Sequence, residues 1–255
     1  MKARRGTRPK PTESAVPEDE KPKSGGPRTW LPLVPLALLL LAGAWHYLQP
    51  QSTEAAVHQA SELAARGAAE WKAGDHAAAL NSFSRALKLA PDRPDYYRGR
   101  AQVYIDSGDP DLALADLDRA MEESDPSPSL IAIRGDALRV SQRWDAAAVA
   151  YQQAIEKGET SPKVYLGYGA VLGKLGRFTD AIAVINDAIG LTDQDADLFA
   201  ARGVAHRGAG DLSEALEDFS LAIQLRPGAT LFLQQRPQVL AESGDPEAAV
   251  RELTT

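Results

Sequence analysis

Residues 196–229 read ADLFAARGVAHRGAGDLSEALEDFSLAIQLRPGA, and residues 94–127 read PDYYRGRAQVYIDSGDPDLALADLDRAMEESDPS. Laid over one another without a gap, they put Ala101 over Gly203, Ala113 over Ala215 and Ala120 over Ala222. The frame extends in both directions at a spacing of 34 residues. Gly74, Gly108, Gly176, Gly210 and Gly244 share one slot, with Gln142 in the remaining unit. Ala79, Ala113, Ala147, Ala181, Ala215 and Ala249 share another. A large apolar residue follows four positions later: Phe83, Leu117, Tyr151, Ile185, Phe219 and Leu253. Ala86, Ala120, Ala154, Ala188 and Ala222 come three further on. Six units of one period are an internal repeat.

The physical logic predicts a helical hairpin per unit. The first helix needs a small residue where the second crosses it, supplied by Gly67, Ala101, Gly135, Gly169 and Gly203. The second helix answers with its own alanines, so the backbones approach closely. The glycine between them sits where the first helix ends and positive φ is favoured. Pro91 and Pro227 close the second helix of units one and five, and Pro126 and Pro162 lie near the same boundary. Each hairpin is amphipathic and cannot cover its own face, so stacked neighbours bury a continuous core.

Composition agrees. Apolar residues make up 44% of the 255 residues but aromatics only 6%, and alanine dominates, which suits closely packed helices and suits β-sandwiches poorly. There is no cysteine, which excludes disulfides, thiolate nucleophiles and Cys-based metal sites. Residues 1–49 carry eight Lys or Arg against four Asp or Glu, leaving −11 for the rest of a chain whose total is −7. So acidic a body argues against nucleic-acid binding, where phosphate contacts dominate affinity.

The N-terminal quarter reads differently. Residues 1–29 are rich in Pro, Gly and charge, and predict a disordered basic tail. Residues 30–48, WLPLVPLALLLLAGAWHYL, lack Asp, Glu, Lys and Arg and carry Trp30 at one end and Trp45 and Tyr47 at the other. Their length, as a helix, is about 28 Å, near the hydrocarbon thickness of a bilayer. The reading is a signal-anchor helix with the N-terminus cytoplasmic and the repeats periplasmic or otherwise extracytoplasmic, since cations precede the run and none lies between Gln49 and Gln59. Two alternatives stay open. Ala42-Gly43-Ala44 has the form of a signal-peptidase site, which would leave a secreted chain beginning at Trp45; a buried core helix is the other. Residues 49–59 form a linker and the start of the first helix.

These residues resemble the tetratricopeptide repeat (TPR), whose 34-residue unit places small residues at positions 8, 20 and 27. Units run 60–93, 94–127, 128–161, 162–195 and 196–229, with a partial sixth at 230–255. The resemblance implies an all-α fold, a right-handed superhelix of five full repeats and a partial sixth. The pattern departs at position 4, which has no Trp, and at Pro237, where a small residue is expected; that proline predicts a broken or kinked helix and an irregular cap. Position 7 holds Arg66, Arg100, Arg134, Arg202 and Arg236, with Tyr168 out of line. Asp116 and Asp218 at position 23 then make Arg100–Asp116 and Arg202–Asp218 candidate ion pairs within a hairpin, the alternative being Arg stems that pack while their heads stay wet.

No constellation for catalysis emerges. The four histidines, His46, His58, His76 and His206, show no metal-ligand spacing, and His206 reads as a packed core residue. Gly167-Tyr168-Gly169 with Gly173 follows no predicted strand, so it fails as a dinucleotide fingerprint and reads as packing. Acidic pairs such as Asp116/Asp118 and Glu217/Asp218 read as solvated surface. The expectation is a non-enzymatic scaffold without cofactor or metal. By resemblance, its first helices line a concave groove for a peptide or partner helix, through Trp71, Arg98, Gln102, Asp136, Arg139, Lys174 and Arg207. Trp71 is the candidate anchor, or core cover. The carboxylate clamp of some family members is absent, since Ala64, Ala68 and Gly99 stand at its positions. A role in envelope assembly, secretion or complex maturation would suit an anchored binder. An accessory subunit of a membrane enzyme or signalling system, and a cleaved secreted binder, are the alternatives.

Overall fold

A computed structural model describes residues 54–122, 125–192 and 194–253, which form twelve α-helices and no strand. The expected tail, the 30–48 span and the start of the linker lie outside the described residues. Among the described residues no helix is long and apolar enough to cross a membrane.

The helices alternate as first (A) and second (B) members of hairpins. Unit one is α1 (Glu54–Lys72) and α2 (His76–Leu89); unit two is α3 (Pro94–Ser107) and α4 (Pro110–Glu122). Unit three is α5 (Pro128–Val140) and α6 (Trp144–Glu156); unit four is α7 (Pro162–Lys174) and α8 (Phe178–Leu191). Unit five is α9 (Ala196–Ala209) and α10 (Leu212–Leu225); unit six is α11 (Thr230–Glu242) and α12 (Pro246–Leu253). Every helix packs on its chain neighbours, and from α1 to α9 each A helix also packs on the next A helix. The A helices therefore make a continuous inner layer and the B helices an outer one, the stacked hairpin superhelix.

Sequence accounts for the ends. Pro94, Pro128 and Pro162 each open an A helix at its first position, where the missing N–H has no partner to lose. Gly108 and Gly210 close α3 and α9 in the left-handed region, at φ of 83° and 90°. In unit three the same turn is made by Gln142 at φ 59°, a conformation that costs a side-chain-bearing residue about 1 kcal/mol or more.

The core follows the repeat. Gly67, Gly135, Gly169 and Gly203 are buried, as are Ala79, Ala86, Ala113, Ala120, Ala147, Ala154, Ala181, Ala188, Ala215 and Ala222. The position-24 side chain packs against the A helices, and where it is the large ring of Phe83 or Tyr151 glycine faces it from both sides. A Cβ on Gly135 would come within 2.8 Å of the Tyr151 ring, and one on Gly167 within 2.8 Å of its hydroxyl. Phe83 is flanked in the same way by Gly67 and Gly99. The Gly-Tyr-Gly run is thus a socket for the Tyr151 and Ile185 side chains.

Two expectations need correcting. Asp116 and Asp218 are not solvated surface: they are 6% and 2% exposed, because each is covered by the arginine of its own hairpin. Pro237 does not break its helix: α11 runs from Thr230 to Glu242 with Pro237 inside it and buried. Proline removes one N–H from the ladder. Phe232 and Val239, on either side and at most 2% exposed, hold the helix into the unit-five core and offset that loss.

Candidate protein-interaction groove

The inner layer is organised by two ladders of side chains. The first starts at position 7. Arg100 donates from Nε and Nη2 to both carboxylate oxygens of Asp116 at 2.7 Å, and from Nη1 to the Ser84 hydroxyl at 3.0 Å. Arg202 grips Asp218 from Nε and Nη2, at 2.9 and 2.6 Å, and donates from Nη1 to Asn186 at 2.6 Å. Both guanidiniums are therefore held more firmly charged than usual, chiefly by the aspartate hydrogen bonds, against the opposing effect of burial. The ion pairs expected within hairpins form, and each arginine has a further arm to the preceding unit. Arg134 reaches Asp118 at 3.5 Å, and Arg236 donates to the Ser220 hydroxyl at 3.0 Å in the same register. Where unit four has Tyr168 instead, the ring is buried and sits 6.3 Å from the Tyr151 ring, tilted by 33°. In unit one Arg66 pairs with Glu70 at 2.7 Å, and Glu70 accepts from the Ser82 hydroxyl at 2.6 Å. The Ser82 and Arg66 hydrogen bonds hold the Glu70 carboxyl below its ordinary range.

The second ladder joins position 12 of one A helix to the next A helix. Trp71 is half-buried against the unit-one core and donates from Nε1 to Asp106 at 2.7 Å. Arg207 grips Glu242 from Nε at 2.8 Å and from Nη2, and donates from Nη1 to Gln238 at 3.0 Å. Its hydrogen bonds depress the Glu242 carboxyl. In unit three Arg139 donates to the buried Tyr151 hydroxyl at 3.3 Å, and that hydroxyl donates to Asp136 at 2.6 Å. Burial first, then Asp136, pushes the Tyr151 phenol well above the tyrosine range. Arg98 pairs with Asp95 at 3.0 Å on its own helix.

The residues read from sequence as groove-lining thus fall into two groups. Trp71, Arg98, Asp136, Arg139 and Arg207 are engaged within the chain, while Gln102 is half-buried on α3 and Lys174 is exposed at the end of α7. His206 is half-buried, with Nδ1 3.5 Å from Asp211 and Nε2 3.9 Å from Asp218.

Sequence reasoning underrated an apolar cleft of about 390 Å³ between α7 and α9. Leu166, Gly173, Phe178, Ile185 and Val204 line it, with Lys174 at its edge. A second cleft of about 340 Å³, between α9 and α11, shares Ala201 and Val204 with it and adds Leu231 and Phe232. Val204 and Leu231 are more than half exposed. The signal available in sequence was the loss of bulk at position 12 of unit four, Gly173, where other units hold Trp71, Ile105, Arg139 and Arg207.

A family model described as tetratricopeptide repeat matches residues 64–128, 134–196 and 171–230. The chain belongs to the tetratricopeptide-repeat family. Solved TPR structures share its fold at low sequence identity. PilW, described as a widely conserved type IV pilus biogenesis factor, is 18% identical with a TM-score of 0.71, over 76% of this chain and 90% of PilW. Pseudomonas aeruginosa PilF is 15% identical with a TM-score of 0.65, over 78% of this chain and 90% of PilF. YrrB, described as a TPR protein with an unusual peptide-binding site, is 21% identical with a TM-score of 0.56, over 68% of this chain and 90% of YrrB. No curated protein is significantly similar in sequence to the chain.

Proposed function

We propose that this TPR chain is a non-enzymatic scaffold, tethered to a membrane by residues 30–48, whose inner helix layer holds a peptide or helix of another protein. The observation that carries the reading is the pair of adjoining apolar clefts on the inner layer, open to solvent and sharing Val204. Buried apolar area drives such association. Gln102, Lys174 and the engaged residues Trp71, Arg98, Asp136, Arg139 and Arg207 form the polar walls of the same layer. The apolar, charge-free 30–48 stretch with cations before it supports an anchor with the repeats extracytoplasmic. A binder so placed suits envelope assembly, secretion or complex maturation.

A photo-crosslinking residue at Gln102 or Val204, on the inner layer, is expected to capture a partner protein in membranes. The same residue at Val149, exposed on outer helix α6, is expected not to. Equal capture from Val149 would remove the groove as the recognition face. Protease added to intact cells tests the topology: repeats shielded until the inner membrane is broken would reverse the proposed orientation.

A further inference from the structure

We infer that the cleft between α7 and α9 receives one large apolar side chain, preferably aromatic, from a partner segment that also places a carboxylate on Lys174. The inference rests on the groove reading above and specifies what the groove takes.

The argument starts from the position-12 ladder. Trp71 and Arg207 each extend from position 12 across the space to the next A helix and bond a carboxylate there, Asp106 and Glu242. Unit four has Gly173 at that position, so no side chain extends from it across the cleft. Nothing crowds this glycine: a Cβ built on it meets no atom within 4 Å, and it lies within α7. Close packing explains Gly135, Gly167 and Gly169, but it does not explain Gly173. A glycine inside a helix weakens it relative to alanine, so this position forgoes stability and leaves a slot open. Leu166, Phe178, Ile185 and Val204 form apolar walls. Phe178 lies so close over Gly208 of α9 that a Cβ there would collide with its ring, which fixes the end of the slot. The occupant that matches is the kind of group the chain itself uses between units one and two, an aromatic ring.

Charge selects what accompanies the ring. In the adjoining cleft between α9 and α11 Asp197 accepts from Arg226 at 2.8 and 3.0 Å, and on α9 Arg207 is gripped by Glu242. Lys174 alone at the rim has no carboxylate within ion-pair distance among the described residues. An acidic partner residue beside the aromatic one therefore meets an unanswered cation, whereas a basic one is repelled.

The test uses the full-length chain and three fluorescent peptides: one Trp flanked by Asp, the same Trp flanked by Lys, and Ala in place of Trp flanked by Asp. Anisotropy is expected to show the Trp–Asp peptide binding about tenfold or more tightly than either other peptide, the size of an interface hot spot. Gly173→Leu fills the slot and is expected to erase that advantage while melting no lower than the wild type. Lys174→Glu is expected to turn the preference towards the Lys-flanked peptide. An unchanged advantage in Gly173→Leu, or a flank preference unmoved by Lys174→Glu, would overturn the inference. Partner capture from Gln102 but not from Val204 would also overturn it while leaving the groove reading standing. Equal capture from Val149 would overturn the groove reading itself.

Discussion

Arg202 and Asp218, sixteen residues apart on α9 and α10, form a forked pair in which the aspartate is 2% exposed and the guanidinium spans two repeats through Asn186. The pair joins hairpin folding to repeat stacking, because one side chain answers both.

Removing Arg202 leaves the Asp218 charge buried, with the His206 ring 3.9 Å away. Arg202→Ala is expected to lower unfolding stability by about 3 kcal/mol, in line with other broken buried pairs. Adding Asp218→Asn should recover part of that loss. A denaturant double-mutant cycle is expected to give a coupling of about 1 kcal/mol or more, and zero coupling would show that the fork contributes nothing.

Gln142 occupies the left-handed turn that glycine makes in other units. Gln142→Gly is expected to raise stability by about 1 kcal/mol by removing the side-chain clash. Gln142→Val, β-branched at the same φ, should lower it by more. Urea midpoints at constant slope read both.

A methyl on Gly99 would come within 2.5 Å of the Phe83 ring. Gly99→Ala is expected to cost about 1–3 kcal/mol by overpacking. Phe83→Leu should rescue it, because the chain already pairs Leu117 with Ile133 at the equivalent positions one unit on. Thermal unfolding of the two single variants and the double reads this, and additive losses would contradict the packing.

The Tyr151 phenol has a folded-state pKa raised by burial and by Asp136. Its contribution is fully present below the ordinary tyrosine value of about 10 and is lost as pH rises through the higher folded value. Burial also raises the Tyr165 and Tyr168 phenols. Ultraviolet titration is therefore expected to show a group of tyrosines ionising late, with Tyr151 ionising only on alkaline unfolding. Tyr151→Phe should show one tyrosine fewer in that step. Ionisation of every tyrosine before unfolding would contradict the buried hydroxyl.

How far the chain could be read in advance follows from range. A small residue at 101, 113 or 120 reports contacts inside one hairpin, and these repeat at a fixed offset, so hairpins, turns and the Arg100–Asp116 pair were visible as spacing. The arm from Arg100 to Ser84 was not, because it depends on how one unit sits on the one before. Pro237 misled for a related reason: local propensity priced its lost hydrogen bond, but Phe232 and Val239 on the same helix outweighed it through contacts with another unit.

The linear order of residues therefore settled the fold, its period and the partners each unit needs within itself, because those interactions lie within a few helical turns along the chain. What it left open was the surface of the inner layer. Trp71 and Arg207 became inter-unit props rather than free groove residues, and Gly173 became a vacancy, only once successive A helices stood side by side. A missing side chain has no chemistry of its own, and its meaning comes from the neighbours that surround the space.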